Sequence, residues 1–186
     1  QSRNCKVKRL ALMGLLFALA MALSFLESLL PALPMLPPGI RLGLSNIVTM
    51  YALFVLGPVS GYTIAVLKSL FVLLTRGAVA AAMSASGGIA SVTVMLLLSL
   101  LPGIRRQYLL LSVFGGAAHN VGQLIAARFI ISNQYVWYYL PVLLAAGLLM
   151  GAITGMALRV VMPYLDRLSL KSTIRRDTCG YVPFAS

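Results

Sequence analysis

The sequence is poor in acidic residues. Only three of its 186 residues are Asp or Glu, against 15 Lys and Arg. Both aspartates, Asp166 and Asp177, lie near the C-terminal end, so the chain lacks the carboxylates that would hold Mg²⁺ for diphosphate chemistry. It also lacks a glycine-rich phosphate-binding loop and a Ser/His/Asp arrangement. We therefore expect a protein that is not an enzyme, with no cofactor and no bound metal.

Cysteine and charge are scarce as well. The two cysteines, Cys5 and Cys179, lie near opposite ends of the chain, so they have no metal-ligand spacing and predict no disulfide framework. Charged residues make up 10% of the chain, against about 25% in a typical soluble domain. The net charge of +12 could indicate nucleic-acid binding, but the basic residues flank apolar segments instead of clustering with aromatic ones. We predict no nucleic-acid partner.

Long apolar segments dominate the rest of the chain. Hydrophobic residues form 60% of it, and the mean hydropathy is +0.96. Because about 20 apolar residues cross the hydrocarbon core of a lipid bilayer, we predict an all-α integral membrane protein with a bundle of six transmembrane helices. The predicted spans are residues 10–30, 42–56, 59–75, 89–101, 108–131 and 139–162. The stretch RGAVAAAMSASGG, residues 76–88, is predicted to be a re-entrant or loosely helical loop.

Basic residues are distributed unevenly between the two ends of these spans. Four precede the first span, two lie between the fourth and fifth, and five close the chain, whereas the opposite loops contain only Arg41 and Arg76. Since cytoplasmic loops carry an excess of Lys and Arg, we predict that both termini are cytoplasmic. The expected organisation is a basic cytoplasmic N-terminus at 1–9, a six-helix substrate-binding membrane domain at 10–163, and a basic cytoplasmic tail at 164–186.

Polar residues that are unfavourable in lipid collect in the outer half of this predicted bundle. The fifth span contains HNVGQ, residues 119–123, in an otherwise apolar run. A charge at the centre of a membrane helix costs about 2.5–3.5 kcal/mol, so such residues usually face the protein interior or a wet cavity. We predict an outward-facing ligand site, although bonds between helices would also explain any single residue. The candidate ligand-binding residues are Glu27, Arg41, Asn46, Lys68, Arg76, His119, Asn120 and Gln123.

Charge predicts the kind of ligand. Glu27 is the only acidic residue in this part of the sequence, against Arg41, Lys68 and Arg76. Buried cations need a counter-charge, so the ligand is expected to be anionic or partly anionic. Glu27 and Lys68 could instead pair with each other, and a stand-alone secondary carrier that uses them as a coupling pair is an alternative.

Two stripes of small residues recur at four-residue intervals. They are Gly14, Ala18 and Ala22 in the first span and Gly147, Gly151 and Gly155 in the sixth. Small residues allow helices to approach closely in membranes. Packing within the chain would explain either stripe, but the first could also dock another subunit.

Several of these segments resemble a known family. RLGLSNIVT at 41–49, the stretch at 68–77 and HNVGQ at 119–123 resemble the Gx transporter family, which is also labelled heptaprenyl diphosphate synthase component I. The number of helices, the small-residue stripe on the first and the outer polar pocket are similar to the substrate-binding S subunit of energy-coupling factor transporters. The resemblance covers about residues 8–163, and the tail from Ser169 has no counterpart.

The resemblance implies a function and partners. In S subunits, an Ala-xxx-Ala pattern on the first helix contacts the transmembrane T subunit. Ala18 and Ala22 match this pattern, and Gly14 extends it. The chain would then capture a vitamin-like or cofactor-precursor molecule outside the bacterial cytoplasmic membrane, and a T subunit with two cytoplasmic ATPases would power its release. The synthase label implies instead a noncatalytic membrane accessory subunit of polyprenyl diphosphate or quinone-precursor synthesis.

Overall fold

The computed structural model describes residues 2–29, 45–101, 103–104, 107–132 and 134–167. These ranges form six α-helices and one 3₁₀-helix and contain no β-strand, which confirms the predicted all-α fold. The helices are α1 Ser2–Leu29, α2 Asn46–Leu56, α3 Pro58–Arg76, α4 Ala78–Ser99, α5 Tyr108–Ile131 and α6 Leu140–Arg167, with the 3₁₀-helix at Gln134–Tyr139. The proline-rich connector with Arg41, the basic pair at 105–106 and the tail beyond 167 lie outside the described residues.

Four of the described helices are long and apolar enough to cross a membrane. They are Pro58–Arg76, Ala78–Ser99, Tyr108–Ile130 and Trp137–Val160. Two shorter apolar helical segments, Leu10–Leu26 and Asn46–Leu56, complete the bundle. At about 1.5 Å per residue, α2 with its 11 residues rises about 16 Å, which is roughly half the thickness of the hydrocarbon core. The described part of α2 therefore reaches only from the α2–α3 turn to the middle of the bundle.

Glycines with a positive φ join consecutive helices. Gly57 has a φ of 97° and Gly77 has a φ of 88°, a conformation that residues with a Cβ atom rarely adopt. Pro58 follows Gly57 as the first residue of α3, a position where its missing amide hydrogen has no helical partner to lose. The turn sets α2 and α3 side by side in opposite directions.

The prediction of a loop at residues 76–88 is wrong. Residues Ala78–Ser99 form one continuous helix, α4. Its first half is rich in Ala, which has the highest helix propensity, and its glycines allow other helices to approach. A methyl group placed on Gly88 would lie 3.2 Å from the Cβ atom of Ala65 on α3. The small residues that suggested a loop are therefore the packing surface of α4.

The outermost helices are also longer than the predicted spans. α1 begins at Ser2, within the predicted basic N-terminus, and α6 continues past Pro163 to Arg167. Apolar content alone set the predicted ends, whereas a helix can continue into its polar flank because its hydrogen bonds lie within the backbone.

Two apolar clusters fill different levels of the bundle interior. The Phe54 cluster joins α2, α4, α5 and α6 and consists of Met50, Leu53, Phe54, Val92, Met95, Leu111 and Leu158. The Leu124 cluster joins α4, α5 and α6 and consists of Met83, Leu124, Ala127 and Leu143. Along α4 and α5, buried polar residues lie between these two clusters. A further cluster packs α1 against α2 and α3.

The glycine stripe of α6 packs against α5. A methyl group on Gly151 would lie 2.6 Å from the backbone oxygen of Ser112, and one on Gly147 would lie 2.9 Å from that of Gly116. The absence of side chains lets the two helix backbones touch. Packing within the chain, the simpler of the two explanations, therefore accounts for this stripe.

Candidate functional site

Five of the eight candidate ligand-binding residues are buried in the bundle. They are Asn46, Lys68, His119, Asn120 and Gln123, each less than one-tenth exposed. Arg76, at the end of α3, is partly buried. Glu27 belongs to the last turn of α1, but its side chain lies outside the described part of the structure, as does the whole of Arg41. The described part of the site thus comes from α2, α3 and α5.

His119 and Gln123 form a pair one turn apart on α5. The Nε2 atom of Gln123 lies 3.0 Å from the Nε2 atom of His119. The backbone of α4 covers the pair at Gly87, where a methyl group would lie 3.0 Å from His119 Cε1 and 2.8 Å from Gln123 Cγ. A glycine is needed where a backbone approaches this closely. Gly87 is therefore part of the site. The sequence analysis missed it because residues 76–88 were predicted to be a loop.

Two buried amides connect helices. Asn46 Nδ2 of α2 donates to Ser91 Oγ of α4 at 3.0 Å, and Asn120 Nδ2 of α5 donates to the carbonyl oxygen of Leu143 on α6 at 2.7 Å. Polar residues of this kind join helices in membrane proteins. Each bond uses only the amide nitrogen, so the oxygen of each side chain is left for another partner.

Five buried polar atoms have no hydrogen-bond partner among the described residues. They are Ser45 Oγ, Asn46 Oδ1, His119 Nδ1, Asn120 Oδ1 and Gln123 Oε1. An unpaired buried polar atom costs about 1–3 kcal/mol, so folded proteins rarely contain several in one region. Four of the five belong to residues that the sequence predicted to bind a ligand. A few convergent polar groups in an otherwise apolar interior are typical of a small-molecule site.

A positive charge lies beside this cluster. Lys68 is buried on α3, with 7% of its surface exposed, and its charge acts on His119 of α5. In the next position, Ser69 Oγ donates to the carbonyl oxygen of Ala65 at 2.8 Å and lies 3.5 Å from Ser84 Oγ of α4. A charged residue at such depth normally faces polar partners or a wet cavity. The inner faces of α3, α4 and α5 therefore enclose a polar and positively charged region.

A small cavity lies between α2, α5 and α6. Its walls are Asn46, Ser112, Gly116, His119, Met150, Gly151 and Thr154. The volume open to the centre of a water molecule is about 10 Å³, which corresponds to about one water molecule. Because Asn46 and His119 both belong to these walls, the cavity adjoins the polar cluster.

The small-residue stripe of α1 faces away from the bundle. Gly14, Ala18 and Ala22 are exposed, and a methyl group on Gly14 would meet no described atom within 4 Å. The opposite face of α1 carries the buried residues Leu16 and Ala20. Within the described part of the chain, the stripe is therefore not a packing surface, and its role in docking stays a prediction.

The sequence and the fold are both similar to those of known proteins. The family model for heptaprenyl diphosphate synthase component I matches residues 16–161. The solved structure of the S component of a bacterial ECF transporter has a similar fold, with a TM-score of 0.61 and 21% sequence identity. The match covers 88% of this chain and 95% of that chain, and it shows a shared membrane-protein fold. No curated protein matches the sequence significantly.

Proposed function

Because the chain belongs to the heptaprenyl diphosphate synthase component I family and shares its fold with an S component, we propose that it is the substrate-binding membrane subunit of an energy-coupling factor type importer. Its ligand is a small, anionic molecule, either vitamin-like or a cofactor or quinone precursor, taken from outside the bacterial cytoplasmic membrane. The chain itself catalyses no reaction.

The buried polar cluster carries this proposal. Asn46 and Asn120 each make one bond between helices and keep an unpaired oxygen, and His119 and Gln123 each keep an unpaired atom beyond their mutual contact. Groups that served only to join helices would be expected to satisfy their polar atoms within the bundle. The remaining atoms are suited to a polar molecule that enters between the helices.

Charge supports the proposed ligand and its side of entry. With the termini in the cytoplasm, as the distribution of basic residues favours, the turn at Gly77 between α3 and α4 faces outside. Arg76 then lies at the outer end of α3, and Lys68 lies about two turns deeper on the same helix. A cation at the entrance and another in the interior would attract an anion along this path.

The exposed stripe of α1 supports a docking surface. Its small residues would let a helix of another subunit approach the backbone of α1. In this proposal, Gly14, Ala18 and Ala22 contact a transmembrane T subunit, to which two cytoplasmic ATPases are attached. The lipid bilayer surrounds the remaining apolar faces.

Mass spectrometry of the purified chain tests the proposal. Small molecules retained by the wild-type chain in detergent are compared with those retained by the double variant Lys68→Met, Gln123→Leu. We expect a specific anionic molecule in the first sample and its depletion in the second. Phe129→Leu, on the exposed face of α5 at 80% exposure, is the matched control and should retain the molecule. Equal retention by a correctly folded double variant would contradict the site.

The family description favours a second candidate function. The chain would then be a noncatalytic membrane accessory subunit of polyprenyl diphosphate or quinone-precursor synthesis. Copurification separates the two candidates, because a T subunit with two ATPases supports the first and a soluble prenyl synthase supports the second. Transport by the isolated chain in proteoliposomes would contradict both, since neither lets the chain move a solute alone.

A further inference from the structure

The connection between α5 and α6 is a short aromatic helix. The 3₁₀-helix Gln134–Tyr139 has the sequence QYVWYY and contains no charged residue. It holds the only tryptophan of the chain and three of its eight tyrosines. Tyr135, Trp137, Tyr138 and Tyr139 are all exposed, by between 38% and 79%. Elsewhere in the described part of the chain, every Tyr side chain is at least partly buried. A contiguous group of exposed rings indicates a surface that something outside the chain covers.

This 3₁₀-helix lies where two candidate membrane spans meet. One span ends at Ile130 and the next starts at Trp137, so the chain leaves the apolar layer and returns to it at one surface of the membrane. The large exposed side chains in the described part of α6 carry no aromatic ring, as at Leu148, Leu149 and Ile153. The outer surface of the bundle thus changes from side chains without rings within the span to Tyr and Trp at its end.

All three faces of the 3₁₀-helix carry aromatic rings. With about three residues per turn, side chains three positions apart lie one above the other, and the rings of Tyr135 and Tyr138 stack with their centroids 6.1 Å apart. Trp137 and Tyr139 belong to the other two faces. A docked protein helix would cover one side of this segment, whereas the head-group layer of a bilayer contacts all of its exposed sides at once.

We propose that residues 134–139 anchor the bundle in the head-group region of the lipid bilayer. Tyr and Trp combine an apolar ring with a polar O–H or N–H group, which is why both are enriched at membrane–water interfaces. The rings contact the upper part of the acyl chains, and the polar atoms reach the lipid carbonyl and head groups. Because the segment has no charge, this anchor does not need anionic lipid. The choice of the outer leaflet rests on the topology proposed above, but the contact with lipid does not.

Fluorescence of the single tryptophan tests the proposal. The full chain is reconstituted into phosphatidylcholine vesicles that contain a nitroxide quencher either close to the head group or near the end of an acyl chain. We expect Trp137 to be quenched most by the shallow quencher, less by the deep one and little by aqueous iodide. Strongest quenching by iodide or by the deep quencher would overturn the anchor. Quenching by none of the three would overturn it too, because protein would then cover the segment.

A tryptophan moved along α6 is the matched control. The double variant Trp137→Phe, Leu148→Trp places the only tryptophan at a position with the same exposure as Trp137, 47%. Residue 148 lies eight residues beyond the start of α6 at Leu140, which corresponds to about 12 Å along the helix axis. We expect this tryptophan to be quenched most by the deep quencher. The same quenching profile at both positions would contradict the proposed depth of the aromatic segment.

Replacing the stacked tyrosines distinguishes an anchor from rings that merely lie near the interface. Tyr135→Leu with Tyr138→Leu keeps apolar side chains but removes the rings and their hydroxyl groups, so this end of the bundle should move towards the acyl chains. We expect quenching of Trp137 to shift towards the deep quencher, and Tyr138→Leu alone should shift it in the same direction. Phe129→Leu, which removes an exposed ring without a polar atom, should leave the profile unchanged. An unchanged profile in both tyrosine variants, with native helix content by circular dichroism, would overturn the anchoring role.

Discussion

His119 and Gln123 satisfy each other only in part. Their contact uses one nitrogen of each side chain, and the buried atoms His119 Nδ1 and Gln123 Oε1 keep no partner among the described residues. A pair that only stabilised the helix would gain more from full pairing within the bundle, because each unpaired atom costs about 1–3 kcal/mol. A ligand that binds to both residues removes this free-energy cost. Ligand binding would therefore stabilise these two side chains more than their contact with each other does.

Gln123→Ala should weaken binding of the molecule that the chain retains. Removing one partner of a buried hydrogen bond costs about 1–3 kcal/mol, which corresponds to a roughly 5- to 150-fold rise in Kd. His119→Ala should fall in the same range, and Lys68→Ala should weaken binding of an anion at least as much. Isothermal titration with that molecule measures each Kd. Normal binding combined with a markedly lower unfolding temperature would show instead that these residues only join helices.

Some site residues could be predicted from the sequence and others could not. His119, Asn120 and Gln123 could be selected because polar side chains within an apolar span are unfavourable in lipid. Gly87 and Ser91 could not, because Gly and Ser occur both in loops and at helix interfaces. Their part in the site depends on a neighbour from another helix, His119 for the first and Asn46 for the second. Such contacts between distant segments are not visible in a local pattern.

At the scale of the helix, the same difference between local sequence pattern and contacts with distant segments explains why α5 was predicted and the first half of α4 was not. The sequence predicted α5 at 108–131, and the structure has Tyr108–Ile131, because the run is long and has large apolar residues in both its first and its last turns. The first half of α4 has few of them, and it packs closely against α3 and α5 through Gly87 and Gly88. Helices in a bundle are stabilised mainly by packing of this kind, which hydropathy along one segment does not report.

The interface of α5 and α6 should not tolerate a single added methyl group. In Gly151→Ala, the new Cβ would lie 2.6 Å from both the Ser112 oxygen and Val113 Cα, which are backbone atoms. Overpacking of this kind costs about 1–3 kcal/mol. The matched control Gly14→Ala meets no described atom within 4 Å and should gain about 0.5–1 kcal/mol from helix propensity. Thermal unfolding in one detergent compares the two, and a Gly151→Ala variant as stable as wild type would contradict the packing.

A bulky residue on the exposed face of α1 should abolish uptake by the assembled transporter without affecting ligand binding by the chain itself. Ala18→Trp blocks close approach of another helix but adds its ring to an exposed surface. We expect loss of uptake by the assembled transporter and nearly unchanged ligand binding by the isolated chain. Val66→Trp, on an exposed face of α3 at 56% exposure, is the control that should keep both activities. Uptake unaffected by Ala18→Trp would remove the proposed docking surface.

At the scale of the whole molecule, the proposed topology assigns a side to each end of every helix. The basic-residue bias favours cytoplasmic termini, which puts the exposed residue Ser132, after α5, on the outside. Cys179 should react with a membrane-impermeant thiol reagent only from the cytoplasmic side. Ser132→Cys, in a chain without its two natural cysteines, should react only from outside. The reverse pattern would invert the molecule and move the entrance of the site to the cytoplasm.

The Phe54 cluster has a consequence for electrical leakage through the membrane. Met50, Phe54 and Met95 are at most 1% exposed, and the Phe54 ring packs edge-on against Tyr108 with centroids 5.5 Å apart. An ion that entered the bundle from the outer end and reached the buried polar residues would next meet the Phe54 cluster. It would have to lose its water to pass this cluster, at an effective cost of at least several kcal/mol. The bundle is therefore an insulator along its own axis. A cell that produces this chain without any partner should keep its membrane potential.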